Sequence, residues 1–429
     1  MRKQGIARNS KEIERCLLLN LDVILAFVFY GLLLVFFFTH RRKFELQGIL
    51  ALYRTKLGLK LMEKFSSFSP RFTKVLGVVG IILGYGGMGV MIYFLILGVV
   101  WVISGGPPLL SPVLPGIQIA PGLPRLGFWH WILSIFIVAA VHEFAHGVYA
   151  RLYKVKVKSS GFAFLGPILA AFVEPDEKQL EKIPRKAQLS MFAAGPFSNM
   201  ILGGIFSLLT IFLIAPVAFG TIDQSVFIHD FGENSALEAA GVGIGEQILE
   251  VNGVPLESLE REPKLSEYFR MPLSTFLQLQ TVTKVSGALE GVGPGDSVVI
   301  VTNKQSYTIQ TGIHPLDEQR PYLGVSFTSP GYKQEYLSRY GEFWLNALFW
   351  VYLLFWWVYN ISFGIGIFNL VPLGPIDGGR MLLTGLTTFM KPETAKKVWS
   401  KVSTFVILLI VINLLPWLFK LFSFITGFV

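Results

Sequence analysis

Six stretches of this chain, at about 17–39, 75–104, 128–150, 187–218, 343–370 and 402–428, are long and apolar enough to cross a lipid bilayer. Few folds accommodate such runs. Inside hydrocarbon every backbone N–H and C=O needs a partner within the protein, which restricts a chain of this kind to helices that satisfy themselves. The expected class is a polytopic α-helical membrane protein with about six transmembrane helices. Composition agrees: 15% of residues are charged, against about 25% in a soluble domain, and the mean hydropathy is +0.56. The single cysteine, Cys16, excludes a disulfide framework or a cysteine-based metal site within one chain. The first run lacks a small-residue cleavage site and reads as a span, not as a cleavable signal. Asp22 and Lys420 fall near span ends, within reach of the interface. The glycines of "GYGGMG" (84–89) predict close helix packing.

Charge is unevenly distributed. The block 219–340 holds 15 acids and 8 bases, a net of −7, so the remainder of the +9 chain carries +16. The bases flank the apolar spans, which fits membrane topology and excludes nucleic acid as a partner. Loop 40–74 has nine Lys/Arg against two acids, loop 151–186 has eight against four, and Arg380, Lys391, Lys396, Lys397 and Lys401 follow Asp377. These three are expected on the cytoplasmic side. Loop 105–127, whose one base is Arg125, and the acidic block 219–340 are expected outside. An external N-terminus with five bases and two acids runs against this orientation, but three loops outweigh one tail. The acidic block reads as β-rich. "SALEAAGV" (235–242) suggests a short helix, Asn252-Gly253 a hairpin turn, and 293–312 two alternating strands. The glycines of "GVGIGE" and "GVGPGD" read as turns, since no complete nucleotide fingerprint accompanies them.

Inside the third span stands "HEFAH", 142–146. The preceding residues 128–141 contain no Asp, Glu, Lys or Arg. Ionisable groups at membrane depth are costly, so a cluster of three there points to a site. On a helix, positions i and i+4 share a face. His142 and His146 can thus grip one metal with Glu143 beside it to handle a proton, the arrangement of zinc hydrolases. Zinc brings the pKa of a water molecule toward about 7. His130 stands twelve residues upstream, about 18 Å along a helix, too far to join.

A catalytic zinc takes three protein ligands. One candidate is Asp377 in "NLVPLGPIDGGR" (369–380), which ends a 34-residue stretch, 343–376, without a charge. Pro372 and Pro375 break the helix there, and Gly378-Gly379 permit a close turn. Asp377 reads either as a third ligand or as the cap of the next helix. The fifteen residues "GFAFLGPILAAFVEP" (161–175), interrupted by Gly166-Pro167, are too short to span. They read either as a re-entrant β-like loop able to pair with a substrate strand or as an amphipathic surface segment.

Taken together, "HEFAH", "AAGPFSN" (193–199) and "NLVPLGPIDGG" (369–379) resemble, in content and order, the motifs of the site-2 protease family of intramembrane zinc metalloproteases. The resemblance frames residues 128–380. It implies one Zn2+ per chain held by His142, His146 and Asp377, with Glu143 as catalytic acid/base. It also implies that Asn199 faces the site, where its amide could orient the scissile carbonyl or support the oxyanion, although an Asn in a membrane helix often just bonds a neighbour. Asn369 could do similar work or hold the broken backbone near Asp377. The acidic block resembles the PDZ domain that many members carry, on "SALEAAGVGIGEQILEVNG", whereas 255–285 departs from a compact PDZ pattern.

The expected organisation is therefore 1–127, an N-terminal pair of spans with a basic loop; 128–218, the first half of the catalytic core; 219–340, an extracytoplasmic PDZ-like domain; and 341–429, the second half of the core. The expected activity is hydrolysis of a peptide bond within or near the transmembrane segment of single-span membrane proteins. Those substrates would be trimmed beforehand, with the PDZ-like block excluding bulky ones or contacting a peptide. The expected location is the plasma membrane, multi-pass. Water would reach Glu143 from the cytoplasmic side, since Arg151 is about 12 Å of helix away. A membrane-bound zinc protease cutting at the aqueous edge is the first rival, and a non-catalytic scaffold on a protease frame the second.

Overall fold

The computed structural model describes residues 24, 26–47, 50–106, 108–116, 126–165, 168–232, 235–259, 273–314, 317–328 and 331–426. Cys16, Asp22, Arg125 and the Gly166-Pro167 pair lie outside them. The chain divides into two compact units. The first comprises Met1–Ile119, Arg125–Phe206 and Trp356–Val429, and the second Ala120–Pro124 and Ser207–Phe355.

Among the described residues five helices, not six, have membrane-spanning length and hydropathy. They are α3 (Pro70–Ile103), α4 (Phe128–Leu152), the continuous α6–α7 (Arg185–Leu209, a wide turn Thr210–Ile214, then Ala215–Gly220), α11 (Glu342–Phe368) and α13 (Pro392–Thr426). The expected first span is described only as the apolar α1, Ala26–Thr39, shorter than a span; residues 17–23 of that reading lie outside the description. Helix α13 begins ten residues before the expected 402. Hydropathy registers only the apolar part of a helix, whereas Lys396, Lys397 and Lys401 are themselves good helix formers and occupy its first turns.

The basic stretches on either side of α3 and α4 hold structure that hydropathy did not reveal. Strands β1 (Phe44–Gln47) and β2 (Leu50–Thr55) precede α2 (Leu59–Phe68). Strands β3 (Val157–Leu165) and β4 (Ile168–Pro175) follow α4, and the short α5 (Glu177–Leu180) follows them. The four strands form one antiparallel sheet in the order β1-β2-β3-β4. Within 161–175 the described residues are extended and belong to strands β3 and β4. Arg54 ties the sheet together, donating to Glu45 at 2.8 Å, to Ser159 Oγ at 2.9 Å and to Glu174. Strand β4 is left at the edge.

Small residues set the helix spacing of this unit. A Cβ on Gly84 would come 2.6 Å from Met381 Cε, and one on Gly87 would come 2.5 Å from Leu370 Cδ1. Gly86 and Gly89 face open space. Asn413 of α13 donates to the Leu95 carbonyl of α3 at 2.9 Å, and Gly98 leaves room for its amide. Helix α3 is thereby fixed against Leu370 and Met381, which flank the break between α11 and α12 (Asp377–Phe389). In that break the Gly378 N–H donates to the Asn369 carbonyl at 2.7 Å and the Gly379 N–H to Ile376 at 3.0 Å. Any Cβ on Gly378 or Gly379 would collide with the Leu370 or Leu373 carbonyl. The Gly-Gly pair is required by this close backbone approach, since neither glycine has a positive φ.

The second unit is built on a mixed-length antiparallel sheet in the order β10-β9-β7-β6-β13, with β8 beside β7. These are β6 (Val226–Phe231), β7 (Gln247–Val251), β8 (Val254–Pro255), β9 (Ser297–Thr302), β10 (Ser306–Gln310) and β13 (Val325–Thr328). Small pairs β5 (Ile222–Asp223) with β14 (Gly331–Tyr332) and β11 (Gly312–His314) with β12 (Asp317–Tyr322) complete the strands. The helices are α8 (Ala236–Ala239), α9 (Leu273–Ala288) and α10 (Gln334–Tyr340). Alternate residues of β9 and β10, Val298, Ile300, Tyr307 and Ile309, pack with Leu237, Ile248 and Val285 in its core. Asn252 and Gly253 both take positive φ, 53° and 81°, as the hairpin reading requires. Among the described residues, Glu246 is the buried acid of this core, and its role is structural. Burial opposes its charge, but Lys304 at 3.0 Å, the Gly243 N–H at 2.8 Å and the Thr302 hydroxyl at 2.9 Å outweigh that and hold its carboxyl below the usual range.

Valine at Gly84 or Gly87 should overpack α3 against Met381 or Leu370 and cost about 1–3 kcal/mol. Valine at Gly86 or Gly89 adds the same side chain toward open space. Thermal melting of the four variants in detergent checks this. Equal losses at all four positions would show that helix propensity, not packing, governs the stretch.

Candidate metal centre

Helix α4 is apolar nearly all round, and one face of it, His130, Ser134, Val138 and His142, is buried. A helix rises about 1.5 Å per residue, so His142 sits about 21 Å from the start of α4 and about 15 Å from its end. It is 8% exposed, in mid-helix. The i,i+4 spacing brings its ring beside that of His146, with centroids 4.8 Å apart and planes at 77°. The break after α11 carries Asp377 to the same place. Its Oδ2 lies 3.0 Å from His142 Nε2 and 3.3 Å from His146 Nε2, and the two Nε2 atoms are 3.1 Å apart. Asp377 occupies the first turn of α12, where a carboxylate is favoured. The N-cap position belongs to Ile376, and the Asp377 carboxylate turns to the two histidines.

Among the described residues these three donors, within 4.8 Å of one another, are a group that could hold a metal ion. Ligands bonded tetrahedrally to one zinc at about 2.0–2.1 Å stand about 3.3–3.4 Å apart, close to the three observed separations. The outer nitrogens fit as well. His146 Nδ1 donates to the Met191 carbonyl of α6 at 2.8 Å, so that Nδ1 carries the proton and Nε2 presents a lone pair. At His142 the Nδ1 is 3.1 Å from the Asn199 amide, as drawn from its Nδ2. In that orientation Asn199 Oδ1 is buried without a partner. Rotating the amide by half a turn puts Oδ1 on the ring, satisfies the orphaned oxygen and protonates Nδ1, again freeing Nε2. The residues fit a zinc with two imidazoles, one carboxylate and an open position.

Two contributions were not visible in sequence. Gly195 lies against the rings, where a Cβ would come 2.5 Å from the Nε2 atoms of both histidines. It stood within "AAGPFSN", and a small residue in an apolar helix does not announce which neighbour needs the space. The other is a backbone group. Glu143 Oε2 accepts the Val173 N–H of edge strand β4 at 3.0 Å. Asn199 is fully buried against His142 Nδ1, on the opposite side of the ring from Nε2. Asn369 is half-buried, and its carbonyl closes the break by accepting Gly378 N–H.

The model of Peptidase family M50 matches residues 130–412, spanning α4, α6, α11, α12 and most of α13. The chain belongs to this family, the site-2 protease family of membrane metalloproteases. A relative of Methanocaldococcus jannaschii, the uncharacterized protein MJ0971, is 26% identical over 341 residues, covering 77% of this chain and 76% of that one. The M50 match includes all three metal-ligand candidates, Glu143 and Asn199.

Gly195→Ala should lower zinc content sharply, because its methyl group occupies the space against both Nε2 atoms. Gly204→Ala, on open space in the same helix, should keep it. Asn199→Asp retains an acceptor for His142 and should load zinc, whereas Asn199→Leu should weaken zinc binding about 10- to 100-fold. Elemental analysis of the purified variants checks this. Full zinc in Gly195→Ala or Asn199→Leu would contradict the assignment.

Proposed function

We propose that this M50 peptidase is an intramembrane zinc endopeptidase that cuts single-span membrane proteins within their transmembrane segments. The observation that carries the proposal is the triangle of donors that Asp377 completes with His142 and His146, which stand with Glu143 on an apolar, span-length helix. Zinc, when bound, supplies the Lewis acidity that activates water and polarises the scissile carbonyl. The chain's own groups do the rest. Met191 and Asn199 fix the imidazoles so that only Nε2 faces the site. Glu143 takes the proton of the attacking water on a carboxylate oxygen and returns it to the amine nitrogen that leaves. Asn199 is thus a positioning residue. The Asn369 side chain, which makes no hydrogen bond among the described residues, is the amide free to meet substrate.

A peptide must be extended to be cut, and β4 is the outer strand of its sheet. A substrate added along β4 would use its free backbone groups. It would compete with Glu143 for the Val173 N–H and release the carboxylate as the peptide arrives. The acidic insert between the helices that carry Asn199 and Asp377 is proposed to be an extracytoplasmic PDZ-like domain that excludes substrates with bulky external parts. The basic loops then face the cytoplasm of a plasma-membrane protein. Impermeant labelling of intact cells should modify cysteines placed at 220–335 and spare those at 40–74 and 151–186. The reverse pattern would overturn the orientation.

Reconstituted with single-span membrane proteins, with and without their external domains, the wild type should yield products cut inside the apolar segment. It should prefer the trimmed forms. Glu143→Gln should hold zinc normally and lose at least about 100-fold in rate, the usual scale of general acid–base catalysis. Mass spectrometry of the products is the readout. Cuts confined to the aqueous flanks would move the activity to the membrane edge, and undiminished cleavage by Glu143→Gln would sink the mechanism.

A further inference from the structure

We infer that the basic end of the first unit carries a binding site for an anionic glycerophospholipid. A cavity of about 440 Å³ opens where α3 begins, α4 ends and α6 begins, lined by Lys74, Val75, Val78, Tyr153, Pro184 and Lys186. The chemistry of this lining is divided. Two lysines from different helices line one cavity, and neither has an ion-pair partner among the described residues. The remaining wall is aliphatic, with Val75 59% exposed on a span-length helix. Beside it α3 packs closely on α4 and α6, since a Cβ on Gly77 would come 2.8 Å from Tyr149 and 2.9 Å from Ser190 Oγ.

The depth of these groups selects the ligand. Lys74 is the fifth residue of α3, Lys186 the second of α6, and Tyr153 follows the last residue of α4. All three therefore sit at one end of three spans, at head-group level, and the aliphatic residues extend from there toward the hydrocarbon. Two cations above an apolar wall match a phosphodiester with its acyl chain lying along Val75 and Val78. A zwitterionic head group would bring its own cation against the second lysine. Free phosphate would satisfy the lysines but leave the wall unused. The site joins the ends of α4, which carries His142, Glu143 and His146, and α6, which carries Gly195 and Asn199, so its occupant would brace both. The inference needs only that these helices cross a membrane and does not depend on peptidase activity.

The test uses the full-length protein in zwitterionic nanodiscs, titrated with a short-chain phosphatidylglycerol, with the matching phosphatidylcholine and with inorganic phosphate. Bound lipid is counted by native mass spectrometry, and thermal melting is followed in parallel. Phosphatidylglycerol should be retained and should raise the melting temperature, while the other two should do neither. Lys74→Gln/Lys186→Gln should bind it about 30-fold more weakly, the equivalent of about 1 kcal/mol per lysine. Lys156→Gln/Lys182→Gln, exposed lysines of the same loop that do not line the cavity, should bind as the wild type does. A cooperative melting transition of each variant without added lipid reports that it is folded. Equal retention of phosphatidylcholine, unchanged binding by the Lys74/Lys186 variant, or the full effect from inorganic phosphate alone would overturn the proposal.

Discussion

Two imidazoles and a carboxylate converge within an apolar helical unit, and much of that unit is explained by what their convergence requires. Burying such groups in hydrocarbon is costly unless each is paired or bound. Here Nδ1 of His146 is taken by the Met191 carbonyl, Nδ1 of His142 by the Asn199 amide, and both Nε2 atoms turn to Asp377. Both outer ring nitrogens are thereby paired. The requirement extends outward to glycines. Gly195 opens the space at the rings, Gly378 and Gly379 allow the break that delivers Asp377, and Gly84 and Gly87 let α3 support that break from behind.

The same economy of backbone groups links the metal centre to the sheet. Strand β4 has one neighbour, β3, and its outward Val173 N–H is given to Glu143. In a lipid-facing protein a free strand edge is tolerated only where protein or water meets it. In the proposed reading, a peptide docked on this edge would meet the base at the Val173 N–H without any moving domain.

The legible part of this chain was whatever depends on side-chain type at fixed spacing. The i,i+4 histidines were visible because a helix must put them on one face, and Asp377 because it closes 34 residues without a charge. In the second unit Asn252-Gly253 marked its turn because few residue pairs accept two positive φ angles. What escaped notice depends on backbone or on space. Met191 and Val173 contribute through a carbonyl and an amide that every residue has, and Gly195 contributes an absence of atoms. Strands β1 and β2 lay hidden in a loop read only for its charge. Helix α13 began earlier than its apolar stretch because lysines continue a helix as readily as leucines do. Asn199 was visible as a polar residue in a span, but not the ring face it would take.

The central claim is that His142, His146 and Asp377 together hold one zinc. Its most direct test is the zinc-to-protein ratio of the purified wild type beside that of Asp377→Ala, measured by elemental analysis after removal of loosely bound metal. The account predicts one zinc per chain in the wild type and a large loss in Asp377→Ala. A full complement of zinc in Asp377→Ala, or none in a wild type that cleaves, would contradict it.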